Sequence, residues 1–537
     1  MRTGARTILY DLMLKGENSM FKRIISLTMC AVILLLSVSI IGCKDTENEN
    51  TESEITESEI TESEITESEI TESENETESK NGSESEQTSE DEAEETSKVD
   101  TYVAPDVNYN DKDFNIMTWT WCEDWVLSVD ERSSAIESQT YYHLKNVERE
   151  LGIKFKIALE QAGHYGYHGS FINKVQTLSG ADNIDLVSQY SLAASIGAQN
   201  GLYANLIDLE YINWDAEYWS DSLYDFNAVN GKMYYCTGDL TGTSVRNMFI
   251  MLYNYDMVNE NHMGNLYDLV DKGEWTIEKL KQLSSKVYMD DNDDKLRNVG
   301  DTFGLVLGEY LLIDAFQAGA GLSSIVNQNG KLSINSEMNG DYGISVIHKL
   351  EALLHENDGA YCPNKPDNSD HRPNYGDAFV KGKAVFEVNM CEGILTTVSR
   401  SDINYGILPM PKYDEDQEGY YTCLNMTYNM YSVLAIARDK EMSGAVLESL
   451  AHSGNKTLIP TINEALRYKY SQRTEDIRML ELIKNGIVYD PGRLFDQMGI
   501  FSFVRSTVRD NISPVSAWEG RSPAYYQNID SINEIFK

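Results

Sequence analysis

The sequence predicts an α/β protein built on a largely parallel sheet. Two observations carry that expectation. From Phe114 the chain alternates between short apolar stretches of strand type and longer stretches of helical spacing. Residues 101–537 are also too many for one core to grow around, so two lobes or domains are expected.

The elements follow in order. "FNIMTW" has the apolar content of a buried strand, and "SQTYYHLKNVERELG" has helical spacing that runs out at Gly152, a suitable C-cap. "IKFKIAL" alternates as a half-buried strand, "GSFINKVQTLSG" is helical, and "NIDLVSQY" is a short buried strand. A β-α-β-α-β order calls for parallel strands with helices on both faces. Ligands of such sheets sit beyond the carboxyl ends of the strands, which here means "TWTWCEDW" and "SQYSLAAS". Later, Thr276 suits the N-cap of a helix with Glu278 near its positive end and Ile277, Leu280 and Val287 on one face. Trp275, just before it, reads as a packing residue.

The first hundred residues are of another kind. Lys22 and Arg23 precede an apolar run from Ile24 to Ile41 that ends Ile40-Ile41-Gly42-Cys43. A basic flank, an apolar core and a small-residue exit make a secretory signal. The exit resembles the bacterial lipobox, which implies cleavage before Cys43 and lipid on its thiol. The alternative is an uncleaved span, since roughly 18 apolar residues just cross a bilayer. Either way the rest of the chain is expected outside the cytoplasm, at the cell surface of a Gram-positive bacterium in preference to a periplasm. Residues 1–19 fit a signal poorly, and translation is expected to start at Met20.

"TESEI" then repeats, with Ile55, Ile60, Ile65 and Ile70 five residues apart. Five helical residues turn by about 140°, so the isoleucines form no stripe. On a strand an odd spacing alternates faces. Like charges repel throughout, and residues 44–100 are expected to be a disordered acidic tether lifting a domain from the membrane.

The formal net charge is −42, and about half of it sits in the tether. The remainder is still acidic, which argues against nucleic acid and polyanionic ligands. Beyond Cys30 in the signal and Cys43, the cysteines are Cys122, Cys236, Cys362, Cys391 and Cys423, with no CxxC pair. Buried reduced thiols are expected, with one disulfide left open. No GxSxG, HExxH or phosphate loop is present. Acidic pairs such as Glu123–Asp124 are unremarkable in so acidic a chain, so no enzyme and no cofactor is expected. "DDNDDKLRNVGD" resembles a calcium loop, with Asp290, Asn292 and Asp294 as first ligands, but it lacks the glycine at the bend and the terminal glutamate. A solvated acidic turn is the plainer expectation there.

Several blocks, in order, resemble the family 1 extracellular solute-binding proteins of carbohydrate ABC importers, which are maltose-binding-like. They are "LGIKFKI", "NIDLVSQY", "GAQNGLYANLIDLE", "NGKMYYCTGDL", "MLYNYDMV", "NLYDLVDKGEWTIEKLKQLS", "FVKGKAVFEV", "INYGILPMPKYDEDQEGYYT" and "GIVYDPGRLF". The resemblance covers Asp113 to Phe536. It implies a two-lobe periplasmic-binding-protein-like fold (type II), each lobe a mostly parallel sheet flanked by helices, with a hinge near Ile250 and Asn425. One lobe would take about 101–247 and 428–490, the other about 248–427 and 491–537. A monomer capturing a sugar between its lobes for importer permease subunits is implied. A surface sensor or adhesin subunit, or a peptide carrier, remains an alternative. Contacts carried over by position are Trp119, Trp121, Glu123, Asp124 and Trp125; Ser188, Gln189, Tyr190 and Ser191; Thr237 and Asp239; and Asn389 and Glu392. Where relatives often carry aromatics this chain has "SQYS" and "NMCEG", so the sugar platform has moved or the ligand differs. Glu392 is either a hydroxyl acceptor or a helix N-terminal charge.

If the repeat is only a tether, deleting residues 46–98 leaves the melting temperature and ligand affinity of the remainder unchanged, because a disordered segment makes no native contacts. A large loss of stability in the deletion protein would mean that the repeat packs on the domain.

Overall fold

The structure is a computed structural model. It describes residues 102–119, 134–160, 168–179, 184–298, 300–308, 310–362, 377–470, 473–495 and 499–537. The chain divides into Met1–Ala93 and Glu94–Lys537, and every described residue belongs to the second unit. The signal, Cys43, the tether, Cys122 and Trp121–Trp125 lie outside the described residues. Among the described residues no helix is long and apolar enough to cross a membrane.

The first sheet forms as its alternation predicts. β1 (Lys112–Trp119) is followed by α1 (Ala135–Leu151), β2 (Ile153–Glu160), α2 (His168–Ser179), β3 (Leu186–Tyr190) and α3 (Ser191–Gln199). β1 lies between β2 and β3 and runs parallel to both. Helix α1 shows why this sequence is helical here. Ser134 caps it by accepting the Glu137 N–H at 3.1 Å, and Ile136, Leu144, Val147 and Leu151 bury one face. Gly152 ends it at φ 65°, and a Cβ there would also lie 2.4 Å from the Asn108 side chain.

The second sheet is mixed. Its elements are β4 (Phe249–Asn254), α4 (Ile277–Ser284), β5 (Tyr288–Met289), β6 (Thr302–Leu307) and α5 (Ile313–Gly319). A small hairpin, β7 (Ile325–Gln328) with β8 (Lys331–Ile334), precedes α6 (Asp341–His355) and β9 (Ala360–Tyr361). Then come β10 (Ala384–Met390), α7 (Cys391–Thr396) and β11 (Tyr405–Leu408). The strand order is β11-β4-β10-β6-β5, with β9 also on β6. β10 and β9 are parallel to β6, whereas β4 runs antiparallel to β10 and β11. The chain then returns as β12 (Asn429–Val433), antiparallel on β3 at the edge of the first sheet. The reversed strands include the two that carry the chain between sheets: β4 on arrival and β12 on return.

Helices α8 (Lys440–Ser453) and α9 (Thr474–Asn485) follow β12, and α8 packs on α1. The last helices, α10 (Ser502–Asp510) and α11 (Pro514–Ile535), pack on α5, α6 and β8 of the second sheet's side. Thr276 caps α4 by accepting the Lys279 N–H at 3.2 Å, with Ile277 and Leu280 buried. The helix stops at Ser284, so Val287 is buried in the following turn and not on the helix. Trp275 is a packing residue: it is buried, and its indole N–H donates to the Pro409 carbonyl at 2.9 Å. "NGKMYYCTGDL" forms no continuous strand. Asn230 and Gly231 turn the chain at φ 52° and 70°, and isolated bridges such as Cys236 to Tyr431 replace a ladder.

Three passages join the sheets. Met248 bridges Leu424, and the Asn425 N–H donates to the Asn247 carbonyl at 2.9 Å. The third passage runs beside the second: Val488 N–H donates to Thr422 at 2.8 Å, and Asp490 takes both the N–H and the hydroxyl of Ser324. Arg493 gathers them. It donates to the Leu424 carbonyl at 2.9 Å and to Asp314 at 2.8 Å, and its guanidinium lies over the Phe249 and Phe501 rings. Arg505 meets the same Asp314 oxygen at 2.6 Å. Both Arg493 and Asp314 are buried.

Removing one partner of a buried ion pair leaves the other charge poorly compensated. Arg493→Ala is therefore expected to cost about 3–5 kcal/mol in urea unfolding. A loss below about 1 kcal/mol would mean that the passages hold together without it.

Candidate functional site

Parallel strands bring their carboxyl ends to one edge, and a ligand site is expected there. β1 ends at Trp119 and β3 at Tyr190. Their rings meet edge to face with centroids 5.6 Å apart, and the His168 imidazole stacks on Tyr190 at 6.4 Å. Burial holds the His168 imidazole below its ordinary pKa, so the ring is neutral near pH 7. This edge therefore carries three aromatic rings without a formal charge. The chain beyond Trp119, with Trp121, Glu123, Asp124 and Trp125, lies outside the described residues.

The residues expected in the next loop behave differently. Ser188, Gln189 and Tyr190 belong to β3 itself, and Ser191 opens α3 with no loop between them. Ser188 accepts from the Asn429 amide at 2.7 Å, while Gln189 donates to Ser432 at 3.0 Å and accepts from Tyr203 at 2.7 Å. The Ser191 hydroxyl donates to the Met426 carbonyl at 2.7 Å. Ser188 and Gln189 are wholly buried, so they act as polar stitches between β3 and the returning β12 and are not surfaces for a ligand. Trp119 and Tyr190 are likewise buried, and of the three rings at this edge His168 alone is half-buried.

Thr237 is buried with its hydroxyl 3.5 Å from that of Ser244. Asp239 accepts from Asn455 at 2.9 Å and lies 4.0 Å from the Lys484 ammonium. Burial raises its pKa, and Lys484 and Asn455 act against that. These contacts come from α9 and from the segment after α8, and none joins Asp239 to Tyr190, Asn389 or Glu392.

On the second sheet, Asn389 and Glu392 stand where β10 passes into α7. The Cys391 N–H donates to the Met248 carbonyl at 3.1 Å, which ties this corner to the first passage. Glu392 pairs with Arg246 across 2.5 Å, and both keep some exposure. Arg246 precedes β4 and Glu392 follows β10, so the pair extends the β4–β10 pairing beyond the end of the second sheet. Neither Arg246 nor its partner role was read from the sequence, although a lone arginine directly before the apolar run Met248–Leu252 is a visible signal. Asn389 donates to Glu387 at 3.1 Å. Glu387 is buried, and burial pushes its carboxyl up to about 7, against the pull of the Asn389 amide. An acidic residue inside a strand pattern had given no sign of this.

A cavity of about 610 Å³ also opens between the passages, lined in part by Ser222, Asp225, Tyr421, Cys423, Asn485 and Asp490. It contains none of the expected ligand residues. Among the described residues Cys236, Cys362, Cys391 and Cys423 are buried, reduced thiols.

Comparison of the sequence with protein-family profiles and with curated proteins finds no match. Solved structures similar to the chain include three solute-binding proteins. The GacH receptor of Streptomyces glaucescens, solved unliganded and with acarbose, is 16% identical with a TM-score of 0.49, over 78% of this chain and 99% of that one. The maltose-binding protein MalE of Listeria monocytogenes, solved with maltose, is 14% identical with a TM-score of 0.49, over 78% and 98%. A family 1 extracellular solute-binding protein of Bifidobacterium longum subsp. infantis is 13% identical with a TM-score of 0.49, over 78% and 100%.

Glu387 gives the site a pH signature. Its folded pKa lies above its unfolded value, so the folded state holds the proton more tightly and stability falls as pH rises from about 4.5 to about 7. Glu387→Gln should therefore stabilise the protein at pH 8, by up to about 3 kcal/mol, and should lose that advantage below pH ~4.5. Equal stability differences at both pH values in paired denaturation curves would show that Glu387 does not titrate this way.

Proposed function

We propose that this chain is an extracytoplasmic, lipid-anchored solute-binding protein. It captures a neutral sugar or oligosaccharide between two lobes and delivers it to the permease subunits of an ABC importer. Lobe one takes about residues 101–247 and 428–490, and lobe two the rest of the folded part. The observation that carries this reading is the architecture at the passages. Two sheets are joined by three adjacent chain segments, and the carboxyl edge of the first sheet is aromatic.

That arrangement suits hinge closure. A ligand that touches both lobes binds the closed form better than the open one, and the difference in affinity shifts the population. The passages can bend while each sheet stays rigid. Sugars offer apolar C–H faces rimmed by hydroxyls, so they need flat rings with donors and acceptors around them. Tyr190 and His168 supply rings at the sheet edge, and Trp121 and Trp125 would add more from the following segment. Glu123, Asp124 and Glu392 would accept hydroxyl protons, and their charge disfavours acidic sugars. The lipid on Cys43 and the acidic tether place this device outside the membrane. No catalytic role is assigned.

Neutral oligosaccharides are expected to change tryptophan fluorescence saturably. Trp121→Ala or Trp125→Ala should weaken binding by roughly 1–3 kcal/mol, the worth of a large apolar surface. A thermal-shift series in which peptides or amino acids raise the melting temperature and sugars do not would overturn the sugar assignment.

A further inference from the structure

The segment Asp290–Asp301 reads DDNDDKLRNVGD and joins β5 to β6. Counting Asp290 as position one, oxygen-bearing side chains stand at one, three, five, nine and twelve: Asp290, Asn292, Asp294, Asn298 and Asp301. Position seven, Leu296, can offer its carbonyl. This is the ligand spacing of the 12-residue loop that wraps calcium. Asp301 stands at position twelve where such loops have glutamate, and the graver objection is Lys295 at position six, where they have glycine.

The backbone removes that objection. Lys295 adopts φ 60°, the left-handed turn for which glycine is usually required. Its N–H donates to Asp290 Oδ2 at 2.9 Å, so position six closes on position one. The interior is one connected cluster. Asn292 and Asn298 both donate to Asp294 Oδ2, at 2.9 and 2.8 Å, and the Asn298 N–H donates to Asp301 Oδ2 at 3.1 Å.

Turn geometry and internal hydrogen bonds do not make a cation site. The independent observation concerns two carboxylate oxygens. Asp301 is 0% exposed, yet its Oδ1 has no hydrogen-bond partner in bonding geometry. Asp290 Oδ1 is buried in the same condition. Buried acceptors left without donors cost free energy, and these two belong to positions one and twelve. The nearby cations meet oxygens other than the proposed ligands: Lys383 donates to the Gly300 carbonyl, at position eleven of the loop. Lys383 pairs with Asp291 at 3.2 Å, and Arg297 lies over the Tyr288 ring while donating to the Asp358 and Ala360 carbonyls.

We propose that Asp290–Asp301 is a calcium-binding loop, with oxygens from Asp290, Asn292, Asp294 and Asp301, the Leu296 carbonyl, and Asn298 directly or through water. Among the described residues no three carboxylate, imidazole or thiol groups are already gathered around a metal position. The loop draws half its donors from amides and a carbonyl, and calcium pulls the carboxylates in as the two asparagine amides turn their oxygens inward. Aspartate at position twelve reaches less far than glutamate, so affinity falls in the range of roughly 10⁻⁴–10⁻³ M typical of extracellular modules. The bound ion pins the β5–β6 turn, where Tyr288 pairs with Phe303.

The test uses the full chain stripped with chelator. Tyr288 Oη lies 3.5 Å from Asp301 Oδ2, close enough to sensitise terbium luminescence from the loop. Expected are saturable terbium luminescence that calcium displaces, and a higher melting temperature in calcium than in chelator or magnesium. Asp301→Asn and the exposed Asp294→Asn should each weaken calcium binding by at least about tenfold, while Asp293→Asn, at position four, leaves it unchanged. Superimposable melts in calcium and chelator would overturn the proposal, as would unaltered calcium affinity in both Asp301→Asn and Asp294→Asn.

Discussion

The joining of the two sheets depends on one buried guanidinium. Arg493 sits where all three passages between the sheets come together, with its charge shared between Asp314 and a backbone carbonyl and its faces covered by Phe249 and Phe501. A buried charge of this kind adds little to net stability compared with a well-packed apolar group, because both ions lose water. Its value is directional. A guanidinium presents its donors in a fixed plane, so it sets the angle at which three strands of chain cross. Asp490 does the same work from the acceptor side, holding Ser324, Ile325 and Gly492 through one carboxylate. The two sheets are thereby held together by directed polar contacts where the passages cross.

The first sheet was legible because its signals are local. Periodicity marked α1 and α2, Gly152 marked the end of α1, and apolar runs marked β1 and β3. The mixed direction of the second sheet was not legible, because strand direction follows from where the chain enters, and β4 enters from another lobe. Val287 shows the same limit on a small scale: it keeps the helical spacing of Ile277 and Leu280, yet the helix ends before it because the chain turns at Ser284 and Ser285.

The site was less legible than the fold. Ser188 and Gln189 are polar residues at a strand end, which a sequence reading places in a ligand loop. In the structure β12 lies beside them and takes their hydrogen-bonding capacity. That partner lies far away in sequence, so no local pattern announces it. Arg246 and Glu387 were missed for the same reason, since each gains its meaning from a residue on another strand or helix. The acidic turn at Asp290–Asp301 is the converse case: its spacing was visible, and the backbone angle of Lys295 that gives the spacing meaning was not.

The pairing of β12 with β3 also sets a schedule. Asn429 and Ser188 lie 241 positions apart, and their hydrogen bond joins the edge of the first sheet to its interior. The first sheet therefore cannot be completed until every strand of the second has been synthesised and the chain has returned. Contacts of such long range are entropically late and slow to form. A chain that waits in this way stays open and threadable for most of its emergence. Such a delay suits any chain that must be threaded before it closes, because the sheet is completed only once most of the chain has emerged.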